Sequence, residues 1–303
     1  MCFALTGREH LIENARMIPK LPGAALRLPA YPFYIREDPK MTVEPTTVAV
    51  RGGAWNPPVY RKGSGEPLLW FHGAGGMNRG WTPDLEALSE HYDVIVPVHP
   101  GWDDTPGLDE IDDIHDLVLY YQDFCDAIGL TSFNLGGHSV GAMFAAEFAA
   151  ARPDMVKKLV LVSPTGLWIP ETPVTDFFIL LPNELPKYLV GDMDNPAVAA
   201  MFTPPADEDE MANAMYLRLA NFSATGKFIW PIPDKGLKKR IHRIKAPTLI
   251  LWGEADRLTP PAYGPLFQSK IAKSQLVTIP KVGHMLPLEN TAEFGKEIHA
   301  FLG

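Results

Sequence analysis

The sequence predicts an α/β protein with a mostly parallel central sheet flanked by helices and interrupted by an inserted helical segment. Three observations carry this. Short continuous apolar runs such as PLLWF (67–71), KLVLV (158–162) and PTLILW (247–252) suit strands buried on both faces. Helical patterns separate the runs, and strand–helix alternation implies a parallel sheet. The alternation then fails between about Thr165 and Arg243, where prolines and large apolar residues gather without strand runs.

At 303 residues, 46% hydrophobic and 21% charged, the chain is globular in composition and long enough for a large core. Residues 1–44 are Pro-rich and aromatic with no period of two or 3.6, and read as an arm laid on the surface of the domain. Met41 offers a second translation start. The core is expected over 45–164 and 243–303, with the helical insertion at 165–242. Thr46–Arg51 and Pro58–Arg61 read as an opening antiparallel pair around a Gly-rich turn. Strands then follow at Pro67–Phe71, Val94–Val98, Phe133–Leu135, Lys158–Val162, Pro247–Trp252 and Gln275–Ile279. Helices fit Pro83–His91, Ile111–Ala127, Val140–Ala151, Pro261–Ala272 and Ala292–Phe301. The third, VGAMFAAEFAAA, is almost wholly apolar, as a helix packed tightly on a sheet should be.

A net charge of -9 argues against nucleic acid, because phosphates demand clustered Lys and Arg. The one basic run, Lys235–Lys245, alternates with Leu and Ile and reads as a solvated helix face. Cys2 and Cys125 are far apart and form no CxxC pair, so neither a disulfide framework nor a cysteine metal site is expected, and a reducing cytoplasm is the simplest setting. No secretory signal and no apolar run of membrane-span length is visible. The expectation is a cytoplasmic protein without membrane or nucleic-acid partners, with a homodimer left open. No cofactor or metal is expected. His99 with Asp103 and Asp104, and His115 in DDIHD, lack a tight ligand set such as HExxH. The acids at Asp109–Asp113 suit a helix N-terminus.

Four segments carry chemistry. Gly137-His138-Ser139-Val140-Gly141 lies between an apolar strand and an Ala-rich helix, where a strained strand-to-helix turn lifts a serine hydroxyl above the sheet edge. His72-Gly73-Ala74-Gly75-Gly76 follows the strand LLWF and can offer bare N–H groups. An oxyanion hole needs two such donors; Ala74 and Val140 are assigned, with Gly75 competing for the first. A dinucleotide reading of this loop fails, since GxGxxG would need glycine where Asn78 stands. Asp256 follows the strand PTLILW in WGEADRLTP, with Glu254 as rival acid, and His284 follows the last strand in VGHMLPLEN. All these loops should open on one sheet edge, in the order serine, acid, histidine.

Together the GHSVG turn, the HGAGG loop, WGEADRLTP and VGHMLPLEN resemble the α/β-hydrolase superfamily from about residue 46 to the C-terminus. The resemblance implies Ser139 as nucleophile, Asp256 as acid, His284 as base, and the insertion as a cap over the active site. A serine nucleophile sets the chain apart from the epoxide-hydrolase and haloalkane-dehalogenase branches, which use Asp there. PVHPGWDDTP departs from the family pattern: Val98 stands where Asp is common and Asp103 where Gly is common. That loop borders the pocket, so the departure bears on substrate rather than on the triad. His72 is read as a buttress of the oxyanion loop and His138 as a pocket flank. With His138, the expected substrate-binding residues are Gly75, Trp168, Phe177, Phe178, Trp230 and Met285. A Met- and Phe-rich cap favours an apolar acyl or alcohol group. The expected function is hydrolysis of small to medium apolar carboxylic esters, extending to lactones, with a small-molecule ester as partner. A ring-fission C–C hydrolase and a hydrolase-like receptor with poor turnover are the alternatives.

Overall fold

The computed structural model describes residues 43–202, 207–232 and 234–303. The arm before residue 43, Cys2 and the choice between Met1 and Met41 lie outside the described residues. The strands are β1 (Thr46–Thr47), β2 (Pro58–Lys62), β3 (Pro67–Phe71), β4 (Asp93–Pro97), β5 (Phe133–His138), β6 (Val156–Val162), β7 (Thr248–Gly253) and β8 (Ser274–Ile279). They form an 8-stranded sheet in the order β1-β2-β4-β3-β5-β6-β7-β8. β2 runs antiparallel to β1 and β4, and every later pairing is parallel. The first strand of the opening pair is shorter than its sequence suggests. Arg51–Gly53 turns into a 3-10 helix with Gly52 at φ 67°, which ends the extended backbone.

The chain reverses its direction of progress across the sheet between β3 and β5, so the loops after these two strands leave the same edge side by side. Open α/β sheets bind ligands at such a switch point. Close packing demands glycine there: a Cβ at Gly136 of β5 would lie 2.5 Å from the Trp70 ring on β3.

Helices α1 (Pro83–Ser89), α2 (Ile114–Ala127) and α3 (Val140–Ala151) lie between the early strands. α2 starts later than the apolar pattern, because Asp113 caps it and accepts from the N–H groups of His115 (2.7 Å) and Asp116 (3.2 Å). α3 is buried from Val140 to Ala150, and its small side chains let it lie close against β3, β5 and β6. Glu147, buried on this apolar helix, accepts a bidentate pair from Arg240 at 2.6 and 2.7 Å. The basic run is solvated as expected at Lys235, Lys238, Lys239, Arg243 and Lys245, but it is not one helix face and Arg240 is partly buried. It folds as two 3-10 turns, Leu237–Lys239 and Ile241–Arg243, with Leu237 and Ile241 buried and Arg243 donating to the Ala150 carbonyl at 3.1 Å. Arg240 is drawn partly out of solvent because α3 presents a carboxylate, while Arg243 reaches a free C-terminal carbonyl from an exposed position.

Between β6 and β7 come α4 (Leu185–Leu189), α5 (Pro196–Met201) and the 22-residue α6 (Glu208–Ile229). α7 (Tyr263–Lys270), α8 (Leu286–Glu289) and α9 (Thr291–Leu302) complete the described chain. No helix among the described residues is long and apolar enough to cross a membrane.

Candidate active site

Ser139 stands between β5 and α3 with φ 58° and ψ -121°. A non-glycine residue held there costs on the order of 1–3 kcal/mol, offset by its surroundings. Its N–H donates to the Val162 carbonyl at 2.9 Å, and its own carbonyl accepts from Met143 N–H at 3.2 Å. The flanking glycines are required by approach. A Cβ at Gly141 would lie 2.2 Å from the Phe71 carbonyl oxygen, and one at Gly137 would lie 2.7 Å from the Gly141 backbone.

The loops after β7 and β8 meet in the same way. A Cβ at Gly253 would lie 2.3 Å from the Gly283 oxygen, and Ala255 N–H donates to the Val282 carbonyl at 2.8 Å. This contact brings Asp256 and His284 together, both buried. Asp256 Oδ1 accepts from the N–H groups of Leu258 and Thr259, each at 2.9 Å. Its Oδ2 accepts from Thr259 Oγ1 at 2.8 Å and from His284 Nδ1 at 2.8 Å. Held from four directions, the carboxylate has one orientation, and it sets the imidazole with Nδ1 protonated. His284 Nε2 then faces Ser139 Oγ at 2.9 Å. The serine O–H donates into an imidazole lone pair, and a carboxylate stabilises the imidazolium that forms when the proton moves.

Behind the loop after β3, His72 Nδ1–H donates to the Gly73 carbonyl at 2.9 Å and its Nε2 accepts from His99 N–H at 3.1 Å. Burial pushes the His72 imidazole down to about 4, so it stays neutral and acts as a brace. His99 Nε2–H donates to the His72 carbonyl at 3.0 Å, and Tyr121 O–H donates to its Nδ1. Both ring nitrogens of His99 are thus occupied. The N–H groups of Ala74 and of Val140, the first residue of α3, have no acceptor among the described residues.

A cavity open to solvent contains Ser139 and His284 in its wall, with Ala74 and Gly75 beside them. The insertion contributes Phe177, Leu185, Leu189 and Phe222. Arg79, Thr82, Asp84 and His138 add polar side chains to the wall. Burial raises the Asp84 carboxyl, whose Oδ1 has no hydrogen-bond partner.

A family profile described as the alpha/beta hydrolase fold matches residues 66–291. The chain belongs to this family. A 2-hydroxy-6-oxo-6-phenylhexa-2,4-dienoate hydrolase of Burkholderia cepacia is 26% identical over 261 residues, covering 79% of this chain and 88% of the relative. Lipase 1 of Psychrobacter immobilis is 28% identical over 253 residues, covering 78% and 77%. Among solved structures, a bacterial membrane phospholipase A superposes with a TM-score of 0.72 at 22% identity, covering 86% of each chain. These relatives of one α/β-hydrolase family carry both lipase and dienoate-hydrolase names, so membership alone leaves the substrate class open.

Within this α/β hydrolase, Ser139, Asp256 and His284 are brought together. Glu254 is not: its side chain is exposed and faces Lys281 N–H at 3.4 Å. Gly75, His138, Phe177 and Met285 line the cavity. His138 Nε2–H donates to the His284 carbonyl at 2.8 Å, and desolvation, with His284 beside it, pushes its imidazole down to about 3. Trp168, Phe178 and Trp230 depart from the expectation, since none reaches the cavity wall. Trp168 packs half-buried on the core, and Phe178 stacks behind Phe177 with centroids 4.4 Å apart. Trp230 meets Phe178 edge-on at 5.6 Å and is 48% exposed. Phe178 and Trp230 thus pack on one another away from the cavity.

Sequence reasoning missed four contributors. Thr259, inside the quoted WGEADRLTP, lies 3.0 Å from His284 Nδ1 through Oγ1. Glu289, inside VGHMLPLEN, accepts from Gly283 N–H at 3.0 Å and Gly191 N–H at 2.8 Å, which ties the histidine loop to the insertion. A polar residue at a fixed place within a site motif was the available signal for both. Arg79 trails the oxyanion motif, and Asn221 sits in α6 with no motif around it.

Proposed function

We propose that this α/β hydrolase cleaves carboxylic esters of small to medium apolar acids through an acyl-enzyme on Ser139. One observation carries the reading: a strained serine whose Oγ lies 2.9 Å from an imidazole that a buried carboxylate holds by its other nitrogen at 2.8 Å. His284 Nε2 takes the proton as Ser139 Oγ bonds to the carbonyl carbon. The Ala74 and Val140 N–H groups receive the negative charge on the carbonyl oxygen. His284 then gives its proton to the departing alkoxide, and the carbon–oxygen bond breaks. Water enters, loses a proton to His284, and releases the acid and the Ser139 hydroxyl. Residues 165–242 serve as the cap, with Phe177 and Phe222 meeting the apolar part of the substrate.

Arg79 in the cavity wall favours a second reading, in which the substrate carries a carboxylate, as the dienoate in the relative's name does, and the bond cut is carbon–carbon. Fluorophosphonate labelling with peptide mapping tests the nucleophile: the adduct is expected on the peptide containing Ser139, and a label elsewhere overturns the assignment. p-Nitrophenyl acetate and butyrate, run beside a vinylogous diketone carboxylate, separate the two chemistries. Preference for the diketone by k_cat/K_M selects the second reading. Ligand-induced thermal stabilisation with negligible turnover of every substrate makes the chain a binding protein.

A further inference from the structure

The long helix of the insertion grips the oxyanion loop from behind. Asn221 of α6 is fully buried, and its whole amide is engaged by the core. Its Nδ2 donates to the Gly75 carbonyl at 2.9 Å and to Asp103 Oδ1 at 2.8 Å, while its Oδ1 accepts from Asp103 N–H at 2.8 Å. Asp103 Oδ2 accepts from Met77 N–H. Gly75 and Met77 bracket Gly76, which has φ 75° and whose Cβ would come within 2.5 Å of both Asn221 Nδ2 and Asp103 Oδ1. Asp103 itself sits at φ 50°. A left-handed residue other than glycine costs roughly 1–2 kcal/mol, least for Asn and Asp. Glycine is common here in the family that the sequence resembles; this chain instead places a carboxylate there and uses both of its oxygens.

These bonds orient the peptide planes of the loop. The Ala74 carbonyl accepts from Trp102 Nε1 at 3.2 Å and the Gly75 carbonyl from Asn221 at 2.9 Å. The Gly73 carbonyl is held by His72 at 2.9 Å and by Gly76 N–H at 3.1 Å, and it shares a rigid plane with the Ala74 N–H. The direction of that N–H therefore depends on where Gly75 and Gly76 are held. α6 has further ties to the same core loop. Tyr216 O–H donates to Asp104 Oδ1 at 2.8 Å, and Lys227 Nζ donates to the Leu108 carbonyl at 2.6 Å. Phe222, the next residue after Asn221, lines the cavity, whereas Asn221 and Asp103 do not.

We propose that Asn221 and Asp103 form a latch through which the position of α6 sets the oxyanion loop, so that a substrate pressing on Phe222 aligns the Ala74 N–H. Both are positioning residues. The inference rests on the reading of Ser139 as nucleophile and Ala74 as oxyanion donor. It makes acyl-chain selectivity appear in turnover as well as in binding.

The test uses the full chain with p-nitrophenyl acetate, butyrate and hexanoate. For the unaltered protein, k_cat is expected to rise with the acyl group that reaches Phe222. Asn221→Ala should lower k_cat by about 10- to 100-fold, less than or comparable with deletion of an oxyanion donor. K_M should stay within about threefold, and the dependence of k_cat on chain length should disappear. Affinity for a trifluoromethyl ketone, which forms an oxyanion on Ser139, should fall in parallel with k_cat/K_M, while affinity for butyrate stays constant. Should Asn221→Ala fail to fold, Asn221→Asp keeps the shape and the bond from Asp103 N–H but loses both donated bonds. Its k_cat, relative to the unaltered protein, should recover as pH falls and the introduced carboxyl regains a proton to donate. Reduced thermal stability with unchanged k_cat, or a rise in K_M alone, would overturn the latch and leave the ester reading standing. Absence of ester turnover and of Ser139 labelling in the unaltered protein overturns both.

Discussion

The loops on the carboxyl edge of the sheet and the inserted segment above them wall one cavity by opposite means. The loops that carry Ser139, Asp256 and His284 are fixed by backbone meeting backbone. Gly137, Gly141, Gly253 and Gly283 each sit where a methyl group would lie under 3 Å from main-chain atoms. The insertion shares that backbone contact near its start, where Gly191 packs on Gly283 and the Leu189 carbonyl accepts from Met285 N–H at 2.9 Å; from α6 onward it is fixed by side chains. Phe177, Phe178, Phe222 and Trp230 form a ring cluster, and Asn221, Tyr216 and Lys227 reach out to the core. Backbone contact leaves almost no freedom, which suits atoms that must stay within a hydrogen bond of one another. Side-chain contact adjusts to its occupant, which suits a wall that meets a substrate.

The largest expected effect tests the rigid side of this comparison. Ser139→Ala should reduce ester turnover by about 10⁴-fold or more, because one member of a triad carries nearly the loss of the whole. Urea midpoints should hardly move, since the replacement keeps the Cβ and the turn. Asp256→Asn should cost on the order of 10²- to 10⁴-fold. It places an amide N–H₂ among donors, where Oδ2 now accepts from Thr259 and His284 and Oδ1 from two N–H groups. Single-turnover kinetics on p-nitrophenyl butyrate measures both, and near-normal rates for either would remove that residue from the mechanism.

The same contrast governs what could be read from the sequence. Where glycine is forced, the residue type is visible, so HGAGG, GHSVG, WGE and VGH marked the site and the strand ends before them. Strand limits were legible to within about two residues for most of the sheet, because strands buried on both faces are continuous apolar runs. Phe133–His138 was read short: its second half, Gly136-Gly137-His138, is rich in glycine and lacks the bulky residues that signal a strand. Within the solvated basic run, the pairing of Arg240 was not legible because its partner, Glu147, lies 93 residues away. The insertion was legible only as a change of pattern. Any of its large apolar residues can face the cavity or a neighbour, and Trp168, Phe178 and Trp230 face neighbours. Asn221 was silent, since one asparagine in a helix carries no information about the loop it meets.

Acid should act on the rigid side first. His72, His99 and His138 brace the loops as neutral rings, with burial as the main cause of their low proton affinity. An unfolded histidine takes a proton near 6.5, whereas His72 in place does so only at about 4. The unfolded chain therefore binds more protons in this window, so stability is full above 6.5 and is lost as pH falls toward 4. His72 alone should remove about 2–3 kcal/mol by pH 4.5. Urea unfolding at pH 7.5, 5.5 and 4.5 measures the trend; a midpoint that stays constant across this range contradicts neutral braces.

The smallest effects belong to the insertion, and they separate its cavity wall from its backing. Phe177 lines the cavity and is buried, so Phe177→Ala should raise K_M for p-nitrophenyl hexanoate by roughly tenfold, as lost apolar contact of about 1–3 kcal/mol implies. Acetate, too short to need that wall, should be affected less. Trp230 meets Phe178 edge-on and is half open to solvent, so Trp230→Ala should change k_cat/K_M by under about threefold for either ester, at a stability cost of about 0.5–1.5 kcal/mol for the aromatic contact. If Trp230→Ala instead matched Phe177→Ala on the hexanoate, the two rings would act as one surface. The division into wall and backing would then fail, and the tryptophan would return to the substrate-binding set.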